Sequence, residues 1–355
     1  MNLAILGYGT VGRNVHKLLK EVDGITVKYI LELPDRLTED CMVSEPSIIL
    51  QDPEIELVVD ALPGIHPSSE YIKEALSSGK SVVSSNKAAI CSSFKELNEL
   101  AKEHGVRLLY EASCGGGIPV IEELMRVGKL DEIDSISGIL NGTTNYILYM
   151  MQKEGMSYGD ALKEAQRLGY AEADPTADVS GFDVRNKILI LSSLAYNGYL
   201  TDDIPMIGIE SITKEDMDRF ASEGKTIKLM GISKLEGSSY ALAVVPVLLP
   251  KDSMEANVPL NFNIVSFTGN YVGELKFYGQ GAGGDPTADA VVRDVENVLY
   301  GDSMAFYRSF ENELQYKPEL LSGRCHVGGE LLTDTVVAEA AAKAKAEGKS
   351  FYFEL

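Results

Sequence analysis

The sequence predicts an α/β protein, a doubly wound parallel sheet joined to a mixed α+β domain, and three observations carry that expectation. Strand-like apolar runs alternate with helical patterns through about the first 125 of the 355 residues, the signature of βαβ units. A GxGxxG pattern, Gly7-Tyr8-Gly9-Thr10-Val11-Gly12, joins the first strand to the first helix. After Val127 the texture changes to helices followed by β-branched runs with short turns between them.

Taken in order, residues 2–7 (NLAILG) read as a strand, and 10–22 as a helix with Val11, Val15, Leu18, Leu19 and Val22 at helical spacing. ITVKYILE (25–32) is a second strand. Further strands are expected at 56–62, 81–85 and 106–113, with helices at 67–79, opened by Pro67, and at 92–105, closed by Gly105. Beyond Val127 a strand at 135–142 precedes helices at 143–153 and 157–168, a polar loop at 171–181 and an apolar helix at 182–197. Runs at 240–250, 261–273 and 274–281 read as antiparallel strands. Residues 1–127 are thus expected to form one domain, completed by about 285–355, and 128–284 a second. DPTAD occurs at 174–178 and 285–289 in unlike surroundings, each copy read as a helix start with Asp as cap and Pro at the first position.

Composition narrows the partners. Fifty-three acidic against 32 basic residues leave a net charge of −21, which repels nucleic acid and anionic membranes. A phosphate-bearing small molecule can still be held by backbone amides at a helix start. Cys41, Cys91, Cys114 and Cys325 form no CxxC pair and follow no secretory leader, so reduced thiols in a cytoplasmic protein are expected. The four histidines lack the spacing that sets two zinc ligands on one helical face. The longest apolar runs reach about half a bilayer span.

Several segments carry chemistry. Gly7 permits a tight turn, Gly9 a close approach of pyrophosphate, and Gly12 close packing of the helix that starts at Thr10 and Val11. Glu32 ends the next strand, where a carboxylate hydrogen-bonds a ribose 2′-hydroxyl and repels a 2′-phosphate, favouring NAD over NADP, with Arg36 nearby as a counterweight. Asn86 and Lys87 follow a strand at the sheet's ligand-binding edge. Glu111 precedes the glycines of YEASCGGGIP, a stretch that suits either an interdomain hinge, the simpler reading, or a cage for a hard cation. Glu172, Asp174, Asp178, Asp183 and Lys187 crowd the start of the apolar helix. Asp183 and Lys187, at i and i+4, share one face; the ILILSSLA that follows is apolar all round, which places them in a cleft rather than in a surface ion pair. The glycine-rich YGQGAGGDPTAD, with Gly281 and Gly283, is a second place for amides to meet an anion.

GYGTVG, NKAAI, EASCGGGIPVI, GILNGTTNYIL, GYAEADPTADVSGFDVRNKILIL and FYGQGAGGDPTADAVV, in that order, make residues 1 to about 300 resemble the homoserine dehydrogenases. The resemblance implies a Rossmann-type dinucleotide domain beside a catalytic and dimerisation domain. It also implies reversible NAD(P)-dependent hydride transfer between L-homoserine and L-aspartate 4-semialdehyde, in a homo-oligomer, dimer or tetramer. By the same resemblance Lys187 moves the proton of the reacting oxygen and Lys87 is a second essential lysine. Glu172 takes the substrate ammonium, Asp183, Asp178 and Thr143 complete the substrate site, and Gly169 lies at the cofactor. Glu111, with the carbonyls of Cys114, Gly116 and Ile118, matches a monovalent-cation site, usually sodium, in place of a hinge. Leu31 and Glu32 stand where NADP-preferring relatives often carry a basic residue. The tail from Gly301 is too short for the regulatory module of many relatives, so feedback by threonine is not expected. Two alternatives stand beside this: a similar dehydrogenase acting on another amino acid or semialdehyde, and a catalytically silent dinucleotide sensor, against which Lys87, Glu172, Asp183 and Lys187 argue.

Overall fold

The computed structural model describes residues 1–301 and 310–355. Short segments, with β1 and β4 the most completely buried, form the first sheet from β1 (Asn2–Leu6), β2 (Thr26–Leu31), β3 (Met42–Val43), β4 (Leu57–Asp60), β5 (Ser81–Ser84) and β6 (Leu108–Leu109). Their order is β3-β2-β1-β4-β5-β6, with parallel pairings throughout. The order reverses between β1 and β4, the switch point beyond whose carboxyl ends open α/β sheets bind ligands. Leu3, Ile5, Leu57, Val59 and Val83 are wholly buried; Val15 and Leu19 of helix Thr10–Leu19 and Ala288, Val291 and Val295 of helix Gly284–Leu299 complete this core. The unit comprises Met1–Arg126 and the stretch that begins at Ala282.

The second unit, Val127–Gly281 with Phe310–Leu355, is built on a nine-stranded sheet. Its strands are β7 (Ile133–Ile139), β8 (Lys225–Glu236), β9 (Ser239–Pro250), β10 (Phe262–Gly269), β11 (Gly273–Gln280), β12 (Gln315–Tyr316), β13 (Ser322–Val327), β14 (Glu330–Val336) and β15 (Phe351–Glu354). The order is β11-β10-β7-β8-β9-β15-β13-β14, with β12 beside β9. The β8–β9 hairpin pairs Lys225 with Pro250 and closes at Glu236 and Ser239 through a turn in which Gly237 takes φ 59°. Helix Phe182–Tyr196 lies on this sheet, Ile188 so near Gly231 that a Cβ there would meet it at 3.0 Å.

Several expectations are corrected here. Of 285–355, the helix at Gly284–Leu299 completes the first unit, but Phe310–Leu355 joins the second; residues 302–309 lie outside the described residues. β15 runs parallel to β9, pairing Phe353 with Val247, and β13 follows it. Cys325, Val327, Phe351 and Phe353 share a core with Ala243, Val245 and Val247, and that apolar burial decides where the tail goes. The strand expected at 106–113 stops at Leu109, because the Glu111 N–H donates to the Asp294 carboxylate at 2.9 Å instead of extending a ladder, and the chain turns into helix Ala112–Gly115. Neither DPTAD starts its helix as expected: in the first, Pro175 rather than Asp174 is the residue before helix Thr176–Val179, and Asp174 accepts from the Thr176 N–H at 3.1 Å; in the second, Asp285 accepts from Asn14 at 2.8 Å and the helix already begins at Gly284.

β8 carries a lysine into the interior. Lys228 is 1% exposed, and its ammonium donates to the Asn145 side chain at 2.7 Å and the Val258 carbonyl at 2.8 Å. Burial, with Lys153 as a lesser cause, pulls its pKa from 10.5 to about 7. Between those values the unfolded chain binds the proton that the folded chain does not, so this residue's contribution to stability rises with pH from about 7 toward 10. Thermal melts of Lys228→Met over that window are expected to lose this rise. A slope equal to the parent's would show that Lys228 is not its source.

Candidate active site

In the first unit the fingerprint turn is built by close contacts. Gly7 follows β1 at φ 93°, and its N–H donates to the Leu31 carbonyl at 3.0 Å. A Cβ on Gly12 would lie 2.0 Å from the Gly7 carbonyl oxygen, so the helix rests directly on the turn. Gly9, the residue before helix Thr10–Leu19, has no atom within 4 Å of its Cβ position. The first-turn amides, beginning at Thr10 and Val11, therefore start from an open surface at the positive end of the helix. Glu32 accepts from the Tyr8 N–H at 3.2 Å and the Leu33 N–H at 2.8 Å, which sets its carboxylate beside that turn; Arg36, in the turn Pro34–Arg36, is exposed.

Asp60 closes β4 at the switch point, unannounced by the sequence reading. Fully buried, it accepts from the hydroxyls of Ser68 and Ser84 at 2.8 Å each, and burial pushes its pKa up to about 6. Asn86 braces the neighbouring loop: its side chain accepts from the Ala89 N–H at 3.1 Å, capping helix Lys87–Ser92, and donates to the carbonyls of Leu62 at 3.0 Å and Gly64 at 2.5 Å. Lys87 is the first residue of that helix and is half-buried.

The Glu111 carboxylate, pushed up to about 7 by burial, accepts from the N–H groups of Ile121 at 2.9 Å and Glu122 at 2.7 Å at the start of helix Val120–Val127. Gly116 turns the loop at φ 58°. Gly283, at φ 131°, stands before helix Gly284–Leu299. Gly281 closes the second unit's central segment, and a Cβ on it would fall 1.9 Å from the Asn263 amide nitrogen.

In the second unit the crowded acidic segment resolves into a bonded cluster. Lys187 and Asp183 are both buried on helix Phe182–Tyr196, the ammonium 2.9 Å from Asp183 Oδ2 and donating to the Leu140 carbonyl at 2.6 Å. A surface ion pair is thereby excluded. Next to Leu140, where β7 gives way to helix Gly142–Glu154, Asn141 donates from Nδ2 to Asp178 Oδ1 at 2.7 Å and to Asp183 Oδ2 at 2.8 Å. Its Oδ1 accepts from the Thr144 N–H at 2.8 Å. Thr143 donates to the Tyr170 carbonyl at 2.5 Å, which holds the loop bearing Gly169 and the exposed Glu172. Asp174 accepts from the N–H and the hydroxyl of Thr176. Of the residues expected from the sequence, Lys187 and Asp183 thus meet directly and Asp178 is linked to Asp183 through Asn141, which the sequence reading does not single out. An Asn before Gly-Thr-Thr at a strand-to-helix junction reads as a cap, and that signal could have singled it out.

A family model described as "Homoserine dehydrogenase" matches residues 119–295, and one described as "Homoserine dehydrogenase, NAD binding domain" matches residues 7–111. The homoserine dehydrogenase of Corynebacterium glutamicum is 39% identical over 315 residues, 83% of this chain and 71% of that protein. That of Bacillus subtilis is 38% identical over 315 residues, 84% of this chain and 73% of that protein. Among solved structures, a homoserine dehydrogenase from Thiobacillus denitrificans superposes with a TM-score of 0.88 at 29% identity, over 100% of this chain and 98% of that one. A hyperthermophilic archaeal homoserine dehydrogenase in complex with NADPH superposes with a TM-score of 0.72 at 26% identity, over 84% of this chain and 98% of that one.

Proposed function

The chain belongs to the homoserine dehydrogenase family, and from that premise we propose how its residues divide the work. It is an oxidoreductase that uses a nicotinamide dinucleotide on a CH–OH group, interconverting L-homoserine and L-aspartate 4-semialdehyde. The bound dinucleotide supplies the hydride acceptor or donor. The observation that carries the assignment of roles is the buried Lys187–Asp183 pair, 2.9 Å apart and anchored on the Leu140 carbonyl at 2.6 Å. Lys187 takes the hydroxyl proton during oxidation and returns it during reduction, with Lys87 as the second lysine of the reaction. Asp183, Asp178 and Thr143 orient the substrate, and the exposed Glu172 receives its ammonium group.

Gly7, Gly9, Thr10, Val11 and Gly12 hold the pyrophosphate, Asn86, Gly169, Gly281 and Gly283 also serve the cofactor, and Glu32 selects the ribose. The open surface at Gly9 and the Glu32 carboxylate on the Tyr8 amide fit a ribose without a 2′-phosphate, hence NAD over NADP. A monovalent cation such as sodium, a hard ion that takes oxygen ligands, is held by Glu111 with the carbonyls of Cys114, Gly116 and Ile118. The enzyme works in the cytoplasm as a homo-oligomer assembled through its second unit. Among the described residues no helix is long and apolar enough to cross a membrane.

Homoserine oxidation, followed by the absorbance of the reduced cofactor, tests this. Reduction of NAD with a higher kcat/KM than of NADP is expected. Glu32→Ser should narrow that ratio by at least about tenfold by removing a repulsive charge. Preference of the parent for NADP would reverse the cofactor assignment, and no signal with either dinucleotide would defeat the functional one.

A further inference from the structure

The interior of the second unit holds a side chain to which no role has been given and which touches both Asp178 and Asp183. We propose that Asn141 is the positioning residue of the substrate site, a single carboxamide that orients Asp183 against Lys187 and ties Asp178 to the same point. This rests on the reading of Lys187 and Asp183 as groups that serve the reaction.

The geometry is specific. The Asn141 Nδ2 donates at 2.7 Å to Asp178 and at 2.8 Å to Asp183 Oδ2, the same oxygen that lies 2.9 Å from the Lys187 ammonium. The two carboxylates would otherwise repel; a donor shared between them compensates charge that one lysine meets from one side only. The carboxamide itself is fixed, because its Oδ1 is bound to the Thr144 N–H at 2.8 Å and the residue is 4% exposed. The preceding residue contributes through its backbone: the Leu140 carbonyl accepts from Lys187 at 2.6 Å. Two consecutive residues at one strand-to-helix junction thus set the lysine and its counter-ion. Gly142 lets the junction sit there, since a Cβ would come within 2.6 Å of the Asn261 carbonyl oxygen. The charged groups joined through this carboxamide are Asp178 from helix Thr176–Val179 and Asp183 with Lys187 from helix Phe182–Tyr196.

Two variants separate positioning from capping. Asn141→Ser keeps a cap acceptor for the Thr144 amide but loses the bridging donor; Asn141→Asp keeps the acceptor and places a third carboxylate against the other two. Asn141→Ser is expected to fall about tenfold in kcat, with a raised KM for homoserine and a melting temperature near the parent's. Asn141→Asp should move the acid limb of homoserine oxidation up by about one pH unit, because added negative charge favours the protonated lysine. A residue that merely capped the helix would change melting temperature and leave the pH profile in place. Parental kcat and pH profile in both variants, beside an inactive Lys187→Ala, would overturn the role of Asn141 alone. Turnover surviving in Lys187→Ala would overturn the reading beneath it as well.

Discussion

Lys187→Ala is expected to lose at least about 10²-fold in kcat for homoserine oxidation, the scale of a general acid or base, while dinucleotide affinity stays near the parent's. The expectation follows from where the ammonium sits. It meets Asp183 at 2.9 Å and the Leu140 carbonyl at 2.6 Å, both in the second unit, whereas the fingerprint turn belongs to the first. Removing the lysine also leaves Asp183 buried without its counter-ion, which destabilises the fold by about 3 to 5 kcal/mol for a fully buried pair. Lys187→Met shares that cost, so the melting temperature of each variant has to accompany its kinetics. Steady-state rates together with dinucleotide titration separate the two effects. Near-normal turnover in a folded variant would remove Lys187 from the mechanism.

The second large effect lies at Gly12. Gly12→Ala puts a Cβ 2.0 Å from the Gly7 carbonyl oxygen, a separation no real structure tolerates, so the helix or the turn has to move. Overpacking of this kind costs about 1 to 3 kcal/mol. A displacement near 1 Å of groups that bind by geometry can cost about 10²-fold. Dinucleotide affinity should fall by that order and the melting temperature should drop. Gly9→Ala is the companion experiment: with no atom within 4 Å, it should keep the parent's stability and weaken the dinucleotide alone. Parental affinity and stability in Gly12→Ala would mean that the turn does not carry the cofactor.

Much of the first unit was legible because its signals are local. β1, β4 and β5 are short buried runs bounded by turn residues, and the glycine fingerprint lies within six residues of one another in sequence. Asp183 and Lys187 were legible for the same reason, since i and i+4 share a helical face. What escaped was long-range. Asn141 meets Asp178 and Asp183 across 37 and 42 residues of sequence, a separation no periodicity encodes. β8 was passed over because Lys225 and Lys228 interrupt its apolar pattern, although Lys228 is buried through the amide of Asn145. The Glu111 carboxylate accepts from two backbone amides ten and eleven residues on, a pairing that no local pattern announces. The place of the tail was not legible because short strands decide it, β15 pairing with β9 from far earlier in the chain and β13 pairing with β15.

The helix at Gly284–Leu299 has a bearing on how the molecule is made. Ala288, Val291 and Val295 fill the core laid down by Leu3, Ile5 and Val59, so the first unit is begun at the amino terminus and finished by a segment some 280 positions later. A ribosome delivers the strands from β7 to β11 before it delivers that helix. During synthesis the dinucleotide-binding half therefore waits, with an open apolar face, until the central strands of the other half have emerged. Assembly is nested rather than sequential, and a fragment ending at Arg126 should be prone to aggregation through that uncovered face.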